Sequence, residues 1–388
     1  MPSIAQGQGD PNFPPNLDIA PSASAVNRVT RENAAHVESD DAVQDIGRFG
    51  IAGRTWEAAY LLRDYCRPPR AGGAIFDPPC PLVNREPLAP TEPAKRKRPR
   101  TIVEVGSGTG FLSLAIAPYL AMESSHAQTT LVMTDLDNVC PLLEENLARA
   151  EKRWSGSKAS DVPESQPPRV LVRPLPWGDQ ASFRRMTDED GLYPDIILAS
   201  DLIYFEFLYA PLLRTLLALT EPVSAAAESP VVLFSYKVRS LTREEPFWRA
   251  FGRWFAFEPV QVGRRRPEEK PTPTEGAAET AAAVPPPTSA SDAMAWSRYG
   301  AAVAESTSQA RSDGDDDELY LFVCSRHPST LGALREEGSP SKKQSRAGAT
   351  LFGHVTDAEL LHGVGPAKGY EARAARFEEI LLADLQWD

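Results

Sequence analysis

The sequence has few of the residues that build metal sites and covalent cross-links. Its 388 residues include four cysteines, which lie far apart, and five histidines, which show no metal-ligand spacing. A zinc site or a disulfide framework is therefore not expected, and this cysteine usage is typical of a reducing compartment. Membrane signals are missing as well: no apolar run approaches the roughly 18 residues that a spanning helix needs, and residues 1–18 lack the features of a secretory signal. We predict a cytoplasmic protein without a metal or membrane contact.

Positive charge is also in short supply. The chain carries 41 Lys and Arg against 53 Asp and Glu, a net charge of −12. Because a nucleic-acid-binding domain normally presents a basic face, nucleic acid is not an expected partner. The run KRKRPR at 95–100 is a local exception. It is either a nuclear-import signal, which would add a nuclear pool of the protein, or a solvated linker.

The 36 prolines and 25 glycines are clustered, and the clusters mark boundaries. Residues 1–45 are polar and are predicted to be a disordered N-terminal segment. A folded domain over 46–328 is predicted to contain two disordered inserts, at about 67–100 and 263–317, whose composition cannot bury a core. Residues 329–388 form a polar tail that ends in a predicted helix.

Short apolar runs alternate with helical patterns between these segments. Strands are predicted at 101–105, 130–134, 169–173, 195–199, 231–235, near 256–262 and at 319–326. Helices are predicted at 54–65 and near 111–122, 138–152, 207–220, 244–254 and 370–386. This alternation predicts an α/β fold with a parallel sheet. The last helix has apolar residues at helical spacing and could pack back on the domain.

The stretch TIVEVGSGTG at 101–110 is the strongest local motif. Gly106, Gly108 and Gly110 follow a buried strand and precede an apolar helix. Glycines there let the chain turn sharply and leave bare peptide N–H groups at a helix N-terminus, where a cofactor can lie. The spacing fits neither G-x-G-x-x-G nor a P-loop. The motif indicates an adenosine-bearing cofactor.

Polar and aromatic residues follow the next strands. Asp135 ends the second strand, where a carboxylate can accept hydrogen bonds from a ribose; capping the next helix is the alternative. Trp177 follows the third strand, as a stacking surface for adenine or as a plug of the core. Ser200 and Asp201 follow the fourth strand, so they are expected near the reactive end of the cofactor.

Asp201 could accept a hydrogen bond from a substrate ammonium, or cap a helix starting near residue 206. Tyr204 could wall a lysine channel. After the fifth strand, Tyr236 is a second candidate for that channel, while Lys237 and Arg239 either contact an acidic protein surface or form a solvated basic turn.

Five elements occur together in the order WEAA at 56–59, EVGSGTG at 104–110, TDL at 134–136, PWG at 176–178 and ASDLIY at 199–204. In this order and spacing the chain resembles methyltransferase family 16. These are seven-β-strand protein-lysine methyltransferases, which include the methyltransferase-like 21 branch and the fungal elongation-factor methyltransferases. The resemblance implies a Rossmann-like class I methyltransferase: a seven-stranded, mostly parallel sheet with helices on both faces and an antiparallel edge strand.

The resemblance also implies S-adenosyl-L-methionine as the cofactor. The residues that would line its site are Trp56, Glu104, Gly106, Ser107, Gly108, Asp135, Leu136, Trp177 and Ser200. Asp201 and Tyr204 match the catalytic motif of the family, and Glu104 would support the methionine end of the cofactor. We expect a monomeric enzyme that methylates a lysine of an intracellular protein such as a translation factor or a chaperone-type ATPase.

Two alternatives remain open. The acceptor could be a protein histidine or a small molecule, or the chain could be a non-catalytic binding module that keeps the fold. An adenine-N6 enzyme would show [ND]PPY where this chain has SDLIY. The long inserts leave the identity of the substrate protein open.

Overall fold

The computed structural model describes residues 12–14, 42–68, 73–83, 100–122, 129–156, 168–222, 228–265, 294–301, 319–331, 355–363 and 373–385. Most of the predicted disordered segments, and residues 95–99 of the basic run, lie outside these ranges.

The described residues include ten strands. They are β1 Ile75–Asp77, β2 Thr101–Val105, β3 Thr130–Asp135, β4 Arg169–Pro174, β5 Ile196–Ser200, β6 Val231–Lys237, β7 Phe255–Pro259, β8 Gln261–Arg265, β9 Met294–Arg298 and β10 Leu319–Arg326. Seven of them form one sheet in the order β4-β3-β2-β5-β6-β10-β7. The first five run parallel, and β10 is antiparallel to both β6 and β7. The predicted seven-stranded, mostly parallel sheet is confirmed, including the pairing of the sixth predicted strand with residues 319–326.

The helices are α1 Ile46–Phe49, α2 Glu57–Tyr65, α3 Phe111–Met122, α4 Cys140–Gly156, α5 Gln180–Arg184, α6 Tyr209–Leu219, α7 Leu241–Trp254, α8 Asp357–His362 and α9 Arg376–Leu385. They cover both faces of the sheet. Successive side chains of a strand point to opposite faces, so each face has apolar residues to pack against helices. Val103 of β2 packs in the same buried cluster as residues of α6 and α7. Its neighbour Ile102 packs with residues of α2 and α3 on the opposite face.

A second, smaller sheet has the order β1-β8-β9 and lies partly within the predicted inserts. β1 and β9 both pair antiparallel with β8. Phe76 anchors this sheet, with ring centroids 5.2 Å from Tyr65 and 4.8 Å from Tyr299. The prediction of structureless inserts is therefore wrong for these two segments, because backbone pairing and one partly buried aromatic ring order short strands in a polar stretch.

The tail helix α9 lies against the main domain. Phe377 is 2% exposed, and its ring stacks on Trp248 of α7 with centroids 4.6 Å apart. Ile380 is buried in the same cluster as residues of α6 and α7. This segment of the polar tail therefore completes the core on one face of the sheet.

Candidate active site

A cavity of about 580 Å³ opens at the carboxyl ends of the parallel strands. The eleven residues predicted from the sequence all line it: Trp56, Glu104, Gly106, Ser107, Gly108, Asp135, Leu136, Trp177, Ser200, Asp201 and Tyr204. The cavity is of the size that holds a cofactor. The sequence therefore predicted correctly which residues come together. The role of each residue stays a prediction.

The glycine turn between β2 and α3 leaves no room for side chains. Gly106 has φ +64° and Gly108 has φ +53°, a left-handed conformation that favours glycine. A Cβ atom on Gly106 would lie 2.7 Å from Leu202 Cδ2 and 3.0 Å from the Trp177 ring. One on Gly108 would lie 3.0 Å from the carbonyl oxygen of Ala52. The bare backbone at this helix start fits a cofactor that lies against the turn.

Asp135 is joined to the glycine turn. One carboxylate oxygen accepts the N–H of Gly108 at 2.8 Å, and the other accepts the N–H of Leu136 at 2.8 Å. It does not cap α4, which begins only at Cys140. Burial raises the pKa of Asp135 to about 6, although both hydrogen bonds act to lower it. Each oxygen keeps a second lone pair, so the carboxylate can still accept from ribose hydroxyls.

Glu104, at the base of the turn, is a buried carboxyl that also lines the cavity. It is 3% exposed and accepts hydrogen bonds from the hydroxyl and the N–H of Ser113 in the first turn of α3. Burial raises the pKa of Glu104 to about 7, against the lowering effect of the Ser113 hydrogen bonds. Ser107 fixes the turn itself, because its hydroxyl accepts the N–H of Thr134 at 3.0 Å.

Two tryptophans border the cavity from different elements. Trp56 precedes α2 and donates its indole N–H to the carbonyl oxygen of Ile51 at 3.1 Å. The Arg54 guanidinium lies over its ring, 4.3 Å from the centroid. Trp177 packs partly against the core and also lines the cavity, and its contact with adenine stays a prediction.

An aromatic strip leads from the cavity to the surface. The rings of Trp177 and Tyr204 are 6.3 Å apart, those of Tyr204 and Phe205 are 4.9 Å apart, and Phe205 stacks on Phe207 at 5.4 Å. Phe207 is 47% exposed. Burial, followed by the charges of Asp135 and Asp201, raises the pKa of Tyr204 above its ordinary value, so its hydroxyl stays protonated at neutral pH.

Asp201 forms an ion pair with Arg239 that the sequence did not predict. The two guanidinium nitrogens reach the two carboxylate oxygens at 2.7 and 2.5 Å. The Asp201 side chain is 0% exposed and that of Arg239 is 31% exposed. Asp201 has φ +61°, and the next helical turn begins only at Glu206. It is therefore not the cap of that turn, and Arg239 is not part of a solvated basic turn.

The residues after β6 also differ from the sequence prediction at Tyr236. Tyr236 does not line the cavity; its hydroxyl bonds to Glu244, and its ring packs on Trp248 and Phe377. The period of two along a strand explains this, because Tyr236 points away from the face that carries Ser235. The Ser235 hydroxyl donates to the Ser200 hydroxyl at 3.1 Å, which joins the ends of β5 and β6 below the cavity.

Residues outside the predicted motifs complete the cavity wall. Asn12 and the turn at Gly50–Gly53 line it, and the Asn12 carbonyl accepts the N–H of Ile51 at 3.0 Å. The prediction of disorder over 1–45 is therefore wrong for residues 12–14, which are held by this backbone contact. No motif in the sequence marks them.

Taken together, the cavity offers a bare glycine turn, the carboxyls of Glu104 and Asp135 beside the Asp201–Arg239 pair, and aromatic surfaces, and these groups fit S-adenosyl-L-methionine. Among the described residues no group of His, Cys, Asp and Glu could hold a metal ion. A sequence model of a lysine methyltransferase family matches residues 38–253, more than half of the chain. The chain belongs to this lysine methyltransferase family. It is accordingly an S-adenosylmethionine-dependent methyltransferase.

Three protein-lysine methyltransferases are similar to between half and two thirds of this chain. Protein-lysine N-methyltransferase EFM6 of Saccharomyces cerevisiae is 28% identical over 199 residues, which are 50% of this chain and 68% of EFM6. Protein N-lysine methyltransferase METTL21A of Xenopus tropicalis is 26% identical over 50% of this chain and 65% of its own length. METTL21A of Danio rerio is 23% identical over 65% of this chain and 91% of its own length. The chain thus spans about two thirds of the first two relatives.

Solved structures with related folds give much weaker matches. The rRNA methyltransferase aviRa from Streptomyces viridochromogenes has a TM-score of 0.26 at 19% identity, over 37% of this chain and 68% of aviRa. The Podospora anserina methyltransferase PaMTH1, solved with SAH, has a TM-score of 0.21 at 16% identity, over 40% of this chain and 49% of PaMTH1. Scores this low support no inference about the site.

Proposed function

We propose that this enzyme transfers a methyl group from S-adenosylmethionine to the ε-amine of a lysine in an intracellular protein. The observation that carries the proposal is the convergence of two motifs on one cavity. The glycine turn with Asp135 and the pair of motif residues Asp201 and Tyr204 both line it. A donor held on the first would face an acceptor that enters along the second. The names of the relatives, which are protein-lysine methyltransferases, support the same acceptor.

The proposed roles of the donor-side residues follow from their contacts. S-adenosylmethionine supplies an electrophilic methyl group on a sulfonium. The peptide groups of the Gly106–Gly108 turn would lie against the cofactor, and Asp135 would accept its ribose hydroxyls. Glu104, buried beside Ser113, would accept the ammonium of its methionine part, with which an ionised carboxyl forms a charge-assisted hydrogen bond. Trp177 and Trp56 would give apolar walls.

On the acceptor side, only the uncharged form of the lysine amine can accept the methyl group. The reference pKa of the lysine ammonium is about 10.4, so the side chain must lose a proton before transfer. The strip of Tyr204, Phe205 and Phe207 would receive the aliphatic part of the lysine side chain and exclude water around it. The exposed ring of Phe207 would contact the surface of the substrate protein. Asp201 and the groups around it would orient the acceptor amine. Asp201 would not act as a strong base.

Translation factors and chaperone-type ATPases are the substrate classes that we propose. The proposed compartment is the cytoplasm, with the enzyme acting as a monomer. The four cysteines are free thiols in the structure, which suits a reducing compartment. No helix among the described residues combines the length and apolar character that a membrane crossing needs.

The test is a transfer assay with methyl-labelled S-adenosylmethionine and purified candidates: an elongation factor, an Hsp70-type ATPase and a histidine-containing peptide. We expect label on a lysine of a protein, located by peptide mass spectrometry. Asp201→Ala should bind the cofactor with a nearly unchanged Kd and lose at least 90% of transfer. Full activity of this variant would contradict the role of Asp201.

Asp190→Ala is the matched control. Asp190 also pairs with an arginine, Arg173 at 2.6 Å, but it does not line the cavity. Its loss should leave transfer within about twofold of the unmodified enzyme, since exposed ion pairs contribute little. If the label is found on histidine, the acceptor is histidine and the proposal of lysine is wrong. Failure of calorimetry to detect cofactor binding would instead favour a non-catalytic module.

A further inference from the structure

The acceptor end of the cavity presents a cation, not a carboxylate. Arg239 covers Asp201: the Arg239 side chain is 31% exposed, whereas the Asp201 side chain, with which its guanidinium pairs, is 0% exposed. The backbone N–H of Lys237 also donates to Asp201, at 3.3 Å. Both residues line the cavity, and Arg239 is the more accessible of the two charged groups to an amine that enters it.

The position of Arg239 is fixed from three sides. Both of its terminal nitrogens bond to Asp201, and one also donates to the carbonyl oxygen of Lys237 at 3.2 Å. Its guanidinium carbon lies 5.3 Å from the Trp56 ring centroid. The backbone N–H of Arg239 donates to a carboxylate oxygen of Glu244 at 3.3 Å. A bidentate pair of this kind needs the planar fork of arginine, which the single ammonium of lysine cannot reproduce.

We propose that Arg239 is a positioning residue of methyl transfer: it fixes the Asp201 carboxylate and, as a fixed cation, makes the acceptor lysine lose its proton to solvent before transfer. The proposal rests on the function proposed above. A fixed positive charge beside an ammonium favours the neutral amine. Removing that charge leaves a buried carboxylate, which favours the ammonium and so opposes formation of the nucleophile.

Other charged and titratable groups around the pair come from every element that packs on it. They are Arg54 and Glu57 before and in α2, Glu104 at the end of β2, Asp135 at the end of β3, Tyr204 after β5, Lys237 at the end of β6 and Glu244 in α7. Burial acts to lower the pKa of Arg239, but Asp201, Glu57 and Glu244 raise it above its ordinary value. Arg239 therefore stays charged over the whole working pH range. Above pH 8 the carboxyls of Glu104 and Asp135, with pKa values of about 7 and about 6, are ionised and contribute no further titration.

The experiment is a pH profile of kcat from pH 8 to 10.5 at saturating cofactor, on the protein substrate found in the transfer assay. For Arg239→Gln we expect the rising limb to move to higher pH by about one unit, so that kcat at pH 8 falls about tenfold. Arg239→Lys keeps the charge but not the fork. Its limb should stay within about 0.3 pH units of the unmodified enzyme, while kcat falls at least threefold at every pH. Arg173→Gln, which breaks the other arginine–aspartate pair, should change neither quantity.

Two further measurements separate this role from simple support of the fold. Cofactor Kd of Arg239→Gln should stay within about threefold of the unmodified enzyme. Thermal unfolding of Arg239→Gln, Asp201→Asn and the double variant should give non-additive losses, since the two residues form one pair. If Arg239→Gln does not fold, a fully active Arg239→Lys overturns the proposal. The proposal is also overturned if the rising limb of kcat against pH lies at the same pH for Arg239→Gln and for the unmodified enzyme. Absence of lysine transfer by the unmodified enzyme would instead refute the proposed function.

Discussion

Acidification is expected to weaken cofactor binding, because two carboxyls with raised pKa values, Glu104 and Asp135, line the cavity. Burial raises the pKa of Glu104 to about 7 and that of Asp135 to about 6 in the cofactor-free protein. Both carboxyls therefore hold protons at a pH where exposed carboxyls are ionised. A cationic cofactor favours their ionised forms, so binding releases protons. Affinity is then fully present above pH 8 and is lost as the pH falls through 7 and 6.

The size of the effect follows from these two pKa values. At pH 5 a carboxyl with a pKa of about 6 is about 10% ionised, so a requirement for its ionised form raises Kd about tenfold relative to pH 8. For a pKa of about 7 the corresponding factor is about a hundredfold. The two factors multiply when both groups must ionise. We therefore expect Kd to rise by two to three orders of magnitude, of which Glu104 supplies the larger part.

Isothermal titration calorimetry with S-adenosylmethionine between pH 8 and 5 measures this dependence. Running each titration in two buffers with different ionisation enthalpies counts the protons released, which should rise from almost none at pH 8 to about two at pH 5, as both carboxyls become protonated in the free enzyme. Glu104→Gln should bind more weakly at pH 8 but lose most of the pH dependence. Asp190→Asn, outside the cavity, should follow the unmodified enzyme. A Kd that changes less than about threefold from pH 8 to 5 would refute the reasoning.

Three other substitutions test separate parts of the structure. Gly106→Ala places a methyl group 2.7 Å from a leucine side chain and strains a left-handed residue, so cofactor Kd from calorimetry should rise at least tenfold; an unchanged Kd would contradict the close approach. Phe207→Ala should raise KM for the protein substrate about fivefold and leave cofactor Kd unchanged, as expected for an exposed aromatic contact with the substrate. An equal rise in KM and in cofactor Kd would contradict a role of Phe207 in substrate contact alone. Phe377→Ala should lower the free energy of unfolding by about 3 to 5 kcal/mol in urea titrations, because it empties a stacked site on Trp248. Leu382→Ala on the same helix, where Leu382 is 59% exposed, should cost less than about 1 kcal/mol.

The parts of the site that are local in sequence could be predicted. Gly106 and Gly108 adopt the conformations that only their residue type allows readily, so spacing alone identified the turn. Asp135 and Ser200 follow from strand ends, because parallel strands of one sheet deliver their carboxyl ends to one edge. The order of the seven strands required the family resemblance as well.

The parts of the site and of the fold that depend on tertiary packing could not be predicted from the sequence. Arg239 and Asp201 are 38 positions apart, and only the adjacency of β5 and β6 brings their loops together. A basic residue after a strand has the same sequence signature whether it is solvated or paired. The strand Ile75–Asp77 lies in a proline-rich stretch, and its partner β8 is more than 180 residues further along the chain. No local pattern records such a pairing.

The position of β10 has a consequence for the newly made chain. In space β10 lies between β6 and β7, but it is synthesised after both. Until Arg326 has left the ribosome, β6 exposes the backbone groups of one edge and β7 lacks the neighbour that ties it to the sheet. An exposed edge of this kind can pair with other chains. The new chain therefore carries an edge that can aggregate from the completion of β6 until residue 326 has emerged.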